Sequence, residues 1–191
     1  MKHFLLLLTI LTFQLQILVA APFIKGYYYS NDGKKIEGLI KFNRATFSVF
    51  GSKPSNIKFK TNSESKAIKL TAEDISSFVI DKDSFAAVHN IKINSIAGEY
   101  TKDFAQVIET GAIKLFLHKS ASSDGKYSYE NDIYVISRDN KYFGIWNFNK
   151  QRDEIAAYFS ERPDLREKIL DKKDKTTIRE LVRDFNQSGI R

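Results

Sequence analysis

Few residues in this chain could do chemistry. Two histidines, His89 and His118, lie in strand-like runs, and a third, His3, sits in the opening stretch. A catalytic or metal-binding histidine needs a base, a nucleophile or further ligands close by. No His-x-x-x-His or His-Glu-x-x-His pair is present, so His89 and His118 are expected at ordinary sheet positions. Ser-x-x-Lys, the spacing of one class of serine nucleophile, occurs at Ser55/Lys58, Ser63/Lys66 and Ser123/Lys126. The Ser-Asp-Asn and Lys-Thr-Gly elements that accompany it are missing, and Ser and Lys are abundant enough to give such matches by chance. There is no Gly-x-Ser-x-Gly elbow, phosphate loop or dinucleotide glycine pattern. Asp81-x-Asp83 starts like an oxygen-ligand loop but lacks its glycine and distal glutamate. Glu99, Asp103 and Glu109 are the acids that could pair for glycoside hydrolysis; singly, they are expected as solvated surface carboxylates. With no cysteine there is no thiolate ligand and no disulfide. The expected set is no catalytic residue, no metal and no cofactor.

The aromatic content is the stronger signal, with 15 Phe, 9 Tyr and 1 Trp. Most of these rings must be core. A minority in alternating strands can form a binding platform, for which the candidates are Tyr27, Tyr29, Tyr127, Tyr129, Tyr142 and Trp146. Rings beside lysines suit stacking on sugars or anionic ligands. The formal net charge is +7 and is spread evenly, with 11 basic and 9 acidic residues from Asn147 to Arg191. Such a balance favours solubility and weak contact with an anionic polymer or headgroup surface. Without a basic stripe, nucleic acid is not an expected partner.

The elements that must position these residues follow from periodicity. "IKGYYYSNDGKKIEGLIKF" places two β-prone runs around Asn31-Asp32-Gly33, a hairpin signal, and Tyr27–Tyr29 must put rings on both faces of their strand. "NIKFK" and "KAIKL" predict a second pair with one apolar and one lysine face. Thr71–Asp74 reads as a helical turn before the strand "ISSFVID". "SFAAVHNIKIN" is a further strand. Hairpins are expected about Thr110-Gly111 and near Arg138-Asp139-Asn140. After Trp146 the period changes. Ile155, Tyr158 and Phe159 keep helical spacing behind an Asn149 cap; Pro163 opens a second helix with Leu165 and Ile169 on one face. Ile178, Leu181, Val182 and Phe185 mark a third, with Thr177 and Glu180 as a capping box. The sequence therefore predicts an α+β chain: an antiparallel, meander-like sheet over residues 23–146, then three short helices in a tail at 147–191, packed on or beside it as a single domain.

The opening stretch "MKHFLLLLTILTFQLQILVAAPF" has a short basic start, an apolar run and Ala20-Ala21, the layout of a secretory signal peptide at residues 1–20. The apolar run is short for a spanning helix and no basic cluster follows it, so membrane contact after cleavage is at most peripheral. "GYYYSNDGKKIEGLIKF", "IKLTAEDISSFVI", "YFSERPDLREKI" and "IRELVRDFN" resemble a broad group of secreted proteins from Bacteroidetes-type bacteria. The resemblance implies an exported, periplasmic or secreted protein with a β-rich body and a helical C-terminus. It brings no activity and no site residue. Relatives in that group often carry a cysteine near the C-terminal proline; here Arg162 stands before Pro163. The functional expectation is a non-catalytic module that binds an envelope protein or an anionic polymer, the alternative being a hydrolase of glycan or peptide acting through carboxylates.

Overall fold

The computed structural model describes residues 22–48, 51–92, 99–123 and 126–189. The expected signal peptide lies outside them. Strands β1 (Ile24–Ser30) and β2 (Lys35–Asn43) form the expected hairpin, turned at Gly33 with φ 83°. Tyr28 points into the core at 8% exposure, while Tyr27 and Tyr29 face outward with ring centroids 5.7 Å apart. The chain continues through β3 (Ala45–Ser48), β4 (Gly51–Lys53), β5 (Asn56–Lys60) and β6 (Ile68–Leu70). It then runs as a consecutive antiparallel meander: β7 (Ile75–Ile80), β8 (Asp83–Lys92), β9 (Glu99–Glu109), β10 (Lys114–Ser123), β11 (Ser128–Arg138) and β12 (Lys141–Ile145).

The sheet is mixed rather than purely antiparallel, which corrects the expectation from sequence. β9 pairs with β10 only between Glu109↔Leu115 and Gln106↔Leu117, and then the two strands part. β3 takes the vacated edge of β10 in parallel register, from Ser120↔Ala45 to Ser123↔Ser48. Because β2 runs into β3 through a bend at Arg44, the pairings β1–β7–β8–β9–β10–β3/β2–β1 return to their start and curl the sheet into a ring. Two glycines permit the tight coiling. Gly26 faces Gly38 across the β1–β2 ladder. A Cβ on Gly26 would collide with the Val79 carbonyl and one on Gly38 with the Lys60 carbonyl and the Phe59 ring. β5 buries Ile57 and Phe59 and exposes Lys58 as its alternation requires. Ile68, expected on the apolar face of β6, is 49% exposed at the end of the strand path.

The tail packs on the sheet. Helices α1 (Arg152–Ala157), α2 (Pro163–Leu170) and α3 (Ile178–Gln187) cover Ile113, Leu115, Ile136 and Ile145, on the face of β10–β12 opposite Phe116, Ile133 and Val135. α3 buries the four residues its period marks and carries the capping box: the Thr177 amide donates to Glu180 Oε2 at 2.8 Å and the Glu180 amide to Thr177 Oγ1 at 3.3 Å. Asn149 does not cap α1; Gln151 holds that position, and Asn149 Oδ1 accepts from Arg152 Nη2 at 2.7 Å. Asn186 binds the β9–β10 turn as another strand would, donating to the Ile113 carbonyl at 2.8 Å and accepting from its amide at 3.0 Å.

Charge also clamps the tail. Arg138 on β11 forks onto Glu161, with Nη2 to Oε1 at 2.8 Å, and Glu109 meets both Arg179 and Arg183. The Arg138 hydrogen bonds hold the Glu161 carboxyl at about 2, below its ordinary 4.5. A carboxyl whose pKa is depressed by folding contributes stability above its ordinary value and loses it as pH falls through the folded one. The urea midpoint of the wild type should therefore fall more steeply than that of Glu161→Gln between about pH 5 and pH 2; equal slopes in parallel denaturation series would remove Glu161 from the account.

Candidate functional site

Where β9 and β10 part, the curled sheet encloses its most polar interior cluster. Ser55 (1% exposed) lies between β4 and β5, Asp103 (0%) on β9 and His118 (0%) on β10. Asp103 Oδ1 accepts from the Ser55 amide at 2.8 Å, from the Phe104 amide at 2.9 Å and from the Ser55 hydroxyl. Asp103 Oδ2 lies 2.8 Å from His118 Nε2. The Tyr100 ring sits 5.2 Å from that of His118, and its hydroxyl donates to the Thr46 carbonyl on β3 at 3.0 Å. Burial, then the Asp103 charge, pushes the Tyr100 phenol up to about 12.

These are the residue types of a nucleophilic triad in the wrong order. A triad needs histidine between serine and carboxylate, so that the ring takes the hydroxyl proton. Here the carboxylate is in the middle, the hydroxyl donates to it, and all three side chains are sealed from solvent. The cluster is a structural pin. It ties the β4–β5 break, β9 and β10 together at the point where the ladder opens, and a buried carboxylate with this many donors is stable only while they stay in place. Asp103 and His118 thus depart from expectation, the first being no surface acid and the second no ordinary sheet residue. The Ser55/Lys58 spacing has no chemical meaning, since Lys58 is exposed on β5 while Ser55 is committed to Asp103. Nor do the three acids of β9 converge. Four and six residues of strand separate them, about 13 Å and 20 Å at the usual rise, and Glu109 is taken up by Arg179 and Arg183.

Next to the pin, a cavity of about 360 Å³ opens at the end of the ring marked by the β7–β8 turn. Its apolar wall is built by Ile24, Phe42, Ile80, Phe85, Phe104 and Leu117, drawn from six strands. Phe78, fully buried, underlies it, with ring centroids 4.6 Å from Phe85, 4.9 Å from Phe104 and 5.3 Å from Phe42. Charge stands at the lip in two groups. Asp81 and Asp83 are on the β7–β8 turn; Arg44 and Lys119 are on the β2–β3 bend and β10. Asp83 accepts from Gln106 at 2.9 Å and Arg44 pairs with Glu130 at 3.1 Å. Phe104 couples pin to cavity: Asp103 holds its amide and its ring forms part of the wall.

The six aromatic candidates are dispersed. Tyr27 and Tyr29 pair on β1, with Lys35 Nζ 4.1 Å from the Tyr27 centroid. Tyr127 and Tyr129 pair 6.4 Å apart at the start of β11, exposed by 56% and 51%. Tyr142 on β12 lies against His89 at 5.3 Å, and Trp146 lies under Lys150 at 5.7 Å. The ring contacts join the first two pairs and bring neither to Tyr142 or Trp146. Among the described residues, no cluster of three His, Asp or Glu side chains could hold a metal ion, and no helix is long and apolar enough to cross a membrane.

Fold and site together define a mostly β protein with a curled mixed sheet, a sealed polar pin and an aromatic-walled cavity beside it. Compared with protein-family models, curated proteins and solved structures, the chain matches none.

Removing Asp103 leaves His118 and the Ser55 donors buried without a partner. Asp103→Ala is expected to destabilise by about 3–5 kcal/mol and Ser55→Ala by about 1–3 kcal/mol. The double variant should cost less than the sum, because both remove one interaction. Strictly additive losses in chemical denaturation would show that the two residues do not act together.

Proposed function

We propose that this protein is a non-catalytic binding protein exported to the cell envelope through a leader at residues 1–20, and that it engages an envelope protein or polymer at the mouth of its curled sheet. One observation carries the reading. The cavity beside the β7–β8 turn combines a preformed aromatic wall with charged groups at its lip, the usual make-up of a ligand site, whereas the Ser–Asp–His cluster next to it is sealed and wrongly ordered for attack. The outward ring–lysine pairs, Tyr27 with Lys35 and Trp146 with Lys150, supply further surface of the kind that stacks on sugars. The even basic excess suits an anionic target.

Hydrolysis of glycan or peptide is the second reading, and it rests on Asp81 and Asp83, which line the same cavity. A general acid at neutral pH needs a desolvated carboxyl, and both of these are exposed at the lip, which favours binding over turnover.

Crosslinked affinity purification of the tagged chain from native cells, with a fractionation control, tests the proposal. The expected result is a stoichiometric envelope partner, lost in Leu117→Trp, which fills the cavity. Recovery of the protein alone, together with release of reducing ends or amines from envelope material that Asp81→Asn/Asp83→Asn abolishes, would replace the binding reading with the hydrolytic one.

A further inference from the structure

The cavity's lip is not symmetric, and that asymmetry specifies a ligand. Of the two cations that line it, Arg44 is paired with Glu130. Lys119 is half-buried in the cavity wall; Asp132 is its cross-strand neighbour on β11, yet among the described residues no carboxylate forms an ion pair with it. An ammonium at the edge of an apolar wall with no carboxylate in contact is a place where an anion can form a charge-assisted hydrogen bond. The acids stand at the other lip, on the β7–β8 turn, where Asp83 is already held by Gln106; they repel an anion from that side and direct it towards β10. Below the lip the wall is mostly apolar, with Phe42, Phe85, Phe104 and Leu117, and Gln106, which donates to Asp83, is the one uncharged polar side chain among the described residues that line it. The volume of about 360 Å³ admits one ring system or a short acyl chain.

We propose that the cavity takes a monoanionic amphiphile, with its apolar body against Phe42, Phe85 and Phe104 and its anionic group on Lys119. This rests on the reading of the cavity as the binding site, and it names the chemical end of the target that enters it. The other charged lip then acts in selectivity: a cationic head would meet Lys119 at one side and would gain only the exposed Asp81 and Asp83 at the other.

The test uses three probes with one apolar body, namely decanoate, decanol and decyltrimethylammonium, titrated calorimetrically into the purified full chain. Decanoate should bind about tenfold tighter than decanol, the gain expected of one charge-assisted contact, and the cationic probe weakest. Lys119→Met should bring decanoate down to the affinity of decanol while leaving decanol unchanged. Leu117→Trp should abolish both, with circular dichroism confirming the fold. A cationic probe that binds best, or a decanoate preference that survives Lys119→Met, overturns the assignment of the head group. The wild-type ranking alone decides this if a variant does not fold. If none of the probes binds while crosslinking still recovers a partner, the ligand class falls and the binding-protein reading stands; if neither binding nor a partner is found, both fall.

Discussion

The structure depends on one buried carboxylate. β9 and β10 begin as an antiparallel pair, with a register shift between Leu115 and Phe116, and separate after three residue pairs. Opening a ladder inside a protein strands backbone donors and acceptors, and those groups must find other partners. Asp103 meets the donors, taking the Ser55 and Phe104 amides, the Ser55 hydroxyl and His118, while β3 supplies the backbone that β10 lost. The same event turns an antiparallel meander into a curled mixed sheet. Without the split there would be no place for β3 and no closed ring.

The cavity is a consequence of that closure. Strands that part at one end of the ring leave space, and this space is walled by large side chains that cannot all reach one another. Phe78, Phe104, Phe42 and Phe85 make edge, tilted and stacked contacts, which hold the wall rigid; yet Phe42 and Phe85 remain partly open. A rigid apolar wall costs little ordering on binding, which is the energetic advantage of a preformed site. The helical tail plays a different part. It covers the far face of β10–β12 through Ile178, Leu181, Val182 and Phe185 and bears on the β9–β10 turn through Asn186, so it steadies the two strands from the end at which they are still paired.

Local chemistry was legible in the sequence. The Asn31-Asp32-Gly33 hairpin needs a positive φ that glycine supplies, and it forms at the expected place. Asp139 and Asn140 take the positive φ of their turn. The Thr177–Glu180 box and the spacing of Ile178, Leu181, Val182 and Phe185 set the third helix. What could not be read depends on chain separation. Ser55 and Asp103 are 48 positions apart, Asp103 and His118 are 15 apart, and no local pattern marks an acid as buried. The parallel β3–β10 contact comes from the bend at Arg44, which lies between two runs of ordinary strand character. The cavity inherits both uncertainties, since its wall is assembled from six strands. Ring periodicity alone grouped Tyr27, Tyr29, Tyr127, Tyr129, Tyr142 and Trp146 as one surface, and the strand order instead sets β1 and β12 far apart along the sheet.

If the split held open by Asp103 makes a ligand cavity, a bound amphiphile must touch the residues beside it. Backbone amide resonances followed while decanoate is added report on that contact. Shifts are expected to concentrate on Phe42, Phe85, Phe104, Leu117 and Lys119, with the Phe104 amide moving because it joins Asp103 to the wall. Shifts confined to the outward faces around Tyr27, Tyr29 or Trp146, with those five residues unmoved, would contradict it.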